Sequence, residues 1–243
     1  MIAGKRVLGV VAARGGSKGL PGKNLLPLGG RPIVAWSVAA ARAAATLDRT
    51  IVSTDDPAIA DAARAAGGDV PFLRPAELAR DESPIVDAVL HALDRVEGRY
   101  DAVVLLQAAA PLRDASDIDG CVRLWAESGA DFAVSVCVAA KPPDWALRLT
   151  PDRRATPYFG GGEGLLARRQ DAAIAYFPNG AVYVAAVPIL RATRRLYGPN
   201  LVAYEMPPER SVDIDRQVDY AVARHYAEIA AQTHPIIAGR LET

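Results

Sequence analysis

Apolar residues along the chain fall in short runs separated by longer stretches of helical period. Residues 7–13, 50–53, 102–107 and 132–136 are rich in β-branched side chains and end in polar or glycine-rich turns, so each run predicts a buried strand. Residues 33–44, 57–66, 84–96 and 117–127 predict helices between them. In the third of these, Ile85, Val86, Val89, Leu90, Leu93 and Val96 form one apolar stripe. Strand alternating with helix through residue 137 predicts an α/β protein with a mostly parallel, Rossmann-like sheet covered by helices on both faces. Right-handed crossovers bring the C-terminal ends of such strands to one edge, and ligands bind outside that edge. The loops after Ala13, Ser53, Gln107 and Val136 are therefore the expected rim of a site.

The alternation breaks over residues 139–176, which hold Pro142-Pro143, Pro151, Pro157, Gly160-Gly161-Gly162 and several arginines. That is too long for a simple loop in a compact domain. It predicts an excursion from the main sheet used for subunit contact, with residues 1–138 and 177–243 forming the α/β domain. Further strands are expected at 180–186 and 201–205. A last helix is expected to open near Asp215 as its N-cap, with Val218, Ala221, Val222, His225 and Ile229 on one face and His225 engaged in packing.

Composition narrows the function. The 243 residues are 51% hydrophobic, enough for one large core. Lys plus Arg total 28 and Asp plus Glu total 28, so no global basic field exists to hold nucleic acid. Cys121 and Cys137 form no CxxC pair and belong to no Cys/His cluster of zinc spacing, as expected for core thiols in a reducing compartment. No apolar run approaches the roughly 18 residues that cross a bilayer. The apolar stretch after Lys5-Arg6 runs straight into Arg14-Gly15-Gly16, as a strand feeding a loop does and a signal peptide does not. A cytoplasmic protein with no membrane partner is expected.

Two segments carry candidate chemistry. The first is the loop Arg14-Gly15-Gly16-Ser17-Lys18-Gly19-Leu20-Pro21-Gly22-Lys23-Asn24. Its glycines let the backbone turn tightly with N–H groups aimed inward, and Arg14, Lys18 and Lys23 add positive charge. A polyphosphate requires that combination. The dinucleotide fingerprint is absent. The Walker pattern fails as well, because Ser17 stands where its first glycine belongs and Asn24 where Ser or Thr is needed. The second segment is Asp213-Ile214-Asp215. In an extended segment, residues i and i+2 point the same way, so the two carboxylates can converge on one hard cation. The same residues also read as a surface charge and a helix cap.

The loop resembles the opening motif of the acylneuraminate cytidylyltransferase family, the CMP-sialic acid synthetases. Ile51-Val52-Ser53-Thr54-Asp55, Arg74-Pro75-Ala76-Glu77-Leu78-Ala79, Leu105-Leu106-Gln107, Pro111-Leu112-Arg113, Arg169-Gln170-Asp171, Pro178-Asn179-Gly180 and Asp213-Ile214-Asp215 follow in the family's order and spacing. The resemblance covers about residues 5–231 and implies a fold of the nucleotide-diphospho-sugar transferase type. It implies attack of a sugar's anomeric hydroxyl on the α-phosphorus of CTP, with pyrophosphate as leaving group. The partners it implies are CTP and an acidic nine-carbon (nonulosonic) sugar, in a homodimer. Ala13, Arg14, Gly15, Gly16, Ser17, Lys18, Lys23 and Asn24 would bind the nucleotide, with Arg74 and Ser83 near its base and ribose. Gln107, Arg169, Gln170, Phe177 and Asn179 would face the sugar, and Asp213 and Asp215 would hold Mg2+. Arg14, Lys23 and Asp215 would act in catalysis, with Asp215 or a metal-bound hydroxide as the candidate proton acceptor.

The sequence departs from the family pattern twice. Ala108-Ala109-Ala110 stand where Pro-Thr-Ser is usual, which removes polar contacts expected at the sugar rim. Phe177 stands where members specific for sialic acid often carry arginine, which leaves Arg169 to meet a sugar carboxylate and the choice of sugar open. A related transferase using another nucleotide or sugar, and a non-catalytic nucleotide-binding homologue, remain the alternatives.

Overall fold

A computed structural model describes residues 1–160, 168 and 170–233. In chain order its first half comprises β1 (Val7–Ala12), a small hairpin of β2 (Pro27–Leu28) and β3 (Arg31–Pro32), α1 (Ile33–Ala43), β4 (Arg49–Ser53), α2 (Pro57–Ala65), α3 (Ile85–Arg95) and β5 (Ala102–Gln107). Then follow α4 (Ala115–Ser128), β6 (Phe132–Val138), a second hairpin of β7 (Leu147–Leu149) and β8 (Ala155–Pro157), β9 (Tyr176–Ala186), α5 (Val187–Thr193), β10 (Leu201–Glu205) and α6 (Gln217–Thr233). No helix among the described residues is long and apolar enough to cross a membrane.

The main sheet has the order β10-β6-β9-β5-β1-β4. β1 pairs in parallel with β4 and β5, and β6 with β10, while β9 runs antiparallel between β5 and β6. Side-chain alternation divides the core between the two faces. Val7 and Val11 pack with Val34 and Val38 of α1, Ile59 of α2 and Ile118, Val122 and Trp125 of α4. Leu8 and Val10 pack on the other face with Val86, Val89, Leu90 and Leu93 of α3 and Leu190 of α5. Each fully buried Val, Leu or Ile contributes about 1.5–3 kcal/mol through area removed from water. Asp56 caps α2 by accepting from the Ala58 N–H at 2.7 Å. A capping box of Asp114 and Asp117 opens α4.

The structure differs from the sequence expectation in two places. β9 begins at Tyr176, four residues before the strand expected at 180, and stays paired with β6 to its end at Val138, beyond a register shift between Val134 and Val136. The excursion between them is closed at its stem by the Ala139 N–H donating to the Ala175 carbonyl at 2.8 Å. The last helix begins at Gln217, and Asp215 does not cap it. The Asp219 carboxylate reaches back to accept from the Arg216 N–H at 2.8 Å and the Asp215 N–H at 3.2 Å. The face of α6 turned inward is small, with Ala223 and Ala227 packing on Leu28, Ile33 and Ile214. Val218, Val222, His225 and Ile229 lie on the exposed side. Among the described residues, Tyr220 is the one large side chain of α6 on this cluster, and its hydroxyl donates to the Pro27 carbonyl.

Candidate active site at the sheet edge

The chain passes from β1 to β4 on one side and then crosses to β5 on the other. The loops after β1 and β5 diverge at that reversal and open the crevice where α/β sheets bind ligands. Because β9 is antiparallel, its N-terminal end reaches the same edge, where Tyr176 pairs with Val138 at the end of β6. The segment after β10 arrives there too. The Met206 N–H donates to the Val136 carbonyl, and the Ile214 N–H to the Ala109 carbonyl, both at 2.8 Å.

The glycine-rich loop is fixed from several sides. The Ala13 N–H donates to the Ser53 carbonyl at 3.1 Å, and the Gly15 N–H to Asp55 Oδ1 at 3.0 Å. The Asn24 amide spans the loop to the Arg14 carbonyl at 2.8 Å, while its Oδ1 is buried without a partner. Gly16 is exposed and Ser17 half-exposed. A Cβ on Gly19 would lie 2.3 Å from the Asp215 carbonyl oxygen, so only glycine lets the loop press on the acidic pair's backbone. Gly19→Ala is expected to part the two segments. Turnover should fall at least roughly tenfold while the melting temperature shifts little, since the clash lies at an exposed loop. Steady-state kinetics with a thermal melt checks this.

Each loop cation has an acidic partner. Lys23, only 13% exposed at its side chain, donates from Nζ to the Ile214 carbonyl at 2.7 Å and to Asp215 Oδ1 at 2.9 Å. Arg14 Nη2 lies 2.9 Å, and Lys18 Nζ 2.8 Å, from the carboxylate of Asp81. Asp81 sits on the strap between α2 and α3 that also carries Arg74 and Ser83. Arg74 is buried, with Nη2 3.5 Å from Asp55 Oδ1. Burial lowers its pKa, and the Asp55 charge opposes that shift. Ser83 Oγ donates to the Glu77 carbonyl at 2.6 Å, within its own turn.

The acidic pair is asymmetric. Ile214 is fully buried and anchors the segment between them. Asp213 is largely covered. Its Oδ1 is buried with no partner, and a Cβ on Gly180, which has φ 75°, would lie 2.7 Å from its Oδ2. Burial, and then the charge of Asp215, push the Asp213 carboxyl above the usual carboxylate range, with Lys23 acting in the opposite direction. The Asp215 side chain is 71% exposed. Two neighbouring carboxylates with an orphaned oxygen suit a hard cation, which relieves both their repulsion and the unmet acceptor. Among the described residues no His, Cys, Asp or Glu cluster of three or more is poised for a metal, so remaining ligands of such a cation would be water or substrate oxygen.

The sugar side is assembled less completely. Gln107 lies half-exposed at the end of β5. Ala108, Ala109 and Ala110 are all buried, so the polar groups they lack are missing from packed interior, not from an open rim. Phe177 is 56% exposed and Gln170 exposed, whereas Arg169 lies outside the described residues. Asn179 is turned inward. Its amide donates to Ser211 Oγ at 2.9 Å and Met206 Sδ at 3.3 Å, and accepts from Ser135 Oγ at 2.6 Å and the Ala181 N–H at 3.2 Å. With donors and acceptor committed, it fixes the β6–β9 irregularity and the approach to Asp213.

Sequence reasoning assigned no role to Asp55, Asp81 or Arg113. Arg113 is 2% exposed and donates from Nη1 to the carbonyls of Gln107 and Ala110 (at 2.8 Å for Gln107). It pins the loop that in turn receives Ile214. Burial lowers its pKa to about 9, against the charges of Asp117 and Asp213. Its place in the Pro111-Leu112-Arg113 motif was the available signal.

The reversed strand order and the basic loop seated on an acidic segment define an α/β nucleotidyltransferase. The model of the cytidylyltransferase family matches residues 8–191, and the chain belongs to that family. A CMP-N,N'-diacetyllegionaminic acid synthase of Legionella pneumophila is 30% identical over 237 residues, covering 92% of this chain and 97% of the relative. An N-acylneuraminate cytidylyltransferase of Escherichia coli is 30% identical over 218 residues, covering 90% of this chain. The chain spans about half (51%) of the length of that relative and of a Streptococcus agalactiae one. In fold it is similar to a CMP:2-keto-3-deoxy-manno-octonic acid synthetase complexed with CTP, with TM-score 0.69, 18% identity and coverage of 93% of this chain and 99% of that one. It is also similar to a 4-diphosphocytidyl-2C-methyl-D-erythritol synthase from Anaerococcus prevotii, with TM-score 0.66, 10% identity and coverage of 93% and 98%.

Proposed function

We propose that this chain transfers the CMP moiety of CTP to the anomeric hydroxyl of a nonulosonic acid and releases pyrophosphate. The observation that carries the reading is the contact between the two segments. Lys23 and Gly19 of the basic loop touch Asp215 and the Ile214 carbonyl, so groups suited to a triphosphate and to a cation share one crevice. The full-length match to a legionaminic acid synthase supports the sugar class.

The loop's N–H groups with Arg14, Lys18 and Lys23 would neutralise the phosphate tail, and Arg74 and Ser83 would flank the nucleoside. Asp213 and Asp215 would hold magnesium, which neutralises charge on the α-phosphate when bound. Phosphoryl transfer asks the protein mainly for such positioning. Asp215, whose side chain is 71% exposed, would accept the hydroxyl proton. Gln107 and Phe177 would face the sugar with Arg169 and Gln170, and the apolar face of Phe177 favours deoxygenated or acylated sugars over fully hydroxylated ones. Leu147, Leu149, Tyr158 and Phe159 on the excursion, with Tyr176 at the start of β9, expose an apolar surface that a second copy would cover. We accordingly assign a homodimer.

The test is pyrophosphate release with each of four nucleoside triphosphates and a panel of nonulosonic acids, on protein sized by light scattering. CTP-selective release, abolished by EDTA, from a dimer is expected. Release with a purine triphosphate instead, or none with any pair, overturns the assignment, and a fully active monomer overturns the dimer.

A further inference from the structure

Arg14 and Lys18 of the glycine-rich loop meet at one carboxylate. Asp81 receives both, Oδ1 from Arg14 at 2.9 Å and Oδ2 from Lys18 at 2.8 Å. Arg14 also donates from Nη1 to the Arg80 carbonyl at 3.2 Å, which fixes the strap and the loop together beside this acid. An anionic group with an oxygen for each of two cations occupies the positions that two oxygens of a phosphate would take. The side chains of Arg14 and Asp81 are about one-third exposed and that of Lys18 mostly exposed, so an incoming anion can reach the cluster. The two cations, Lys18 first, hold the Asp81 carboxyl below the usual range, so it is ionised throughout the neutral region.

We infer that Asp81 is an internal competitor for the phosphate tail of the nucleotide, occupying Arg14 and Lys18 until a triphosphate displaces it and retaking them as pyrophosphate leaves. The inference rests on the phosphate role proposed above for the loop. The charge arithmetic sets its direction. A phosphate oxygen at Arg14 or Lys18 stands within a few ångströms of the Asp81 charge and is repelled by it. A triphosphate brings enough charge, with Lys23 and the loop N–H groups as additional partners, to overcome the competition. Pyrophosphate has lost its covalent tether to the nucleoside, so the same competition ejects it more readily. Asp81 thus lowers affinity for the tail and speeds release of the leaving group. The Arg74 and Ser83 positions on the same strap would feel the displacement, since the strap carries all three residues.

The test uses the full chain and its Asp81→Asn variant, which keeps the size of the side chain and removes its charge. Calorimetry with inorganic pyrophosphate, tripolyphosphate, CTP and cytidine needs no sugar and no turnover. Pyrophosphate and tripolyphosphate are expected to bind the variant roughly three- to tenfold more tightly, in keeping with the loss of two exposed ion pairs. CTP should gain as well, cytidine should be unchanged, and the gain should shrink at high salt. Pyrophosphate should also become a stronger product inhibitor in the variant. Equal binding by the two proteins would reduce Asp81 to a surface contact, and weaker binding by the variant would make it a residue that arranges the cations for phosphate. Either result overturns the inference. Tighter pyrophosphate binding in a protein that turns over no CTP would retain the inference and discard the proposed reaction instead.

Discussion

Asp213→Asn is expected to reduce turnover by about a thousandfold or more while making the protein more resistant to heat. The two effects have one origin. Asp213 is a covered carboxylate with an oxygen lacking any partner, beside a second carboxylate. Ionising it costs folding energy, which a neutral amide avoids, so a gain of about 1 kcal/mol or roughly 2–4 °C in Tm is expected. An amide is a poor ligand for a hard cation, so magnesium-dependent chemistry is lost with the charge. The pH dependence has a definite sign. The folded pKa is raised above the unfolded one, so the wild-type penalty is fully present above the folded value and is lost progressively as pH falls from there to the unfolded value. The advantage of the variant should shrink accordingly on acidification. Magnesium should raise the melting temperature of the wild type and leave that of the variant unmoved. Retained turnover, or a lower melting temperature in the variant, would show that Asp213 has a different task.

Lys23→Ala should be nearly as damaging, through a different balance of constants. Lys23 supplies charge to the crevice and also holds the Ile214 carbonyl and the Asp215 carboxylate. Hydrogen bonds involving charged groups contribute about 1.5–3 kcal/mol each. Removing the side chain should therefore lower kcat/KM for CTP by roughly 10²–10³-fold. If Nζ also meets the β- or γ-phosphate, calorimetry will show CTP weakened far more than CMP. An equal loss for both nucleotides would confine Lys23 to its grip on the acidic segment.

Much of the scaffold was legible because its signals are local. β1, β5 and β6 are mostly apolar runs, β4 carries its apolar pair at Ile51-Val52, and the buried stripe of α3 has the helical period over Val86, Val89, Leu90 and Leu93. The first half of β9 was not legible, since Tyr176-Phe177-Pro178-Asn179 mixes aromatics with residues that disfavour a central strand. Pro178 is accommodated where the β6–β9 register is irregular, which no local pattern announces. The orientation of α6 was misread because both of its faces carry apolar side chains. The inward one is set by how closely Ile214 and the β2–β3 hairpin approach. In the site, loop glycines and the acidic pair stand out as motifs. The partners that organise them do not, because Arg14–Asp81, Lys23–Asp215 and Arg113–Gln107 are long-range or backbone pairings with no periodic trace. The inward turn of Asn179 belongs to the same group.

The antiparallel β9, wedged between β5 and β6, also governs the order in which the molecule can assemble. Until it is in place, β4, β1 and β5 form a three-stranded sheet whose open edge is the run Val103 to Leu106, apolar on both faces. β6 and β10 have no partner on that sheet, because neither pairs with β5 directly. A chain emerging from the ribosome thus holds a sticky parallel edge from residue 107 until residue 186 has been made, the interval in which such intermediates associate with one another. The acidic segment comes later still, so the nascent protein carries a complete basic loop well before it owns the Asp215 carboxylate that Lys23 holds.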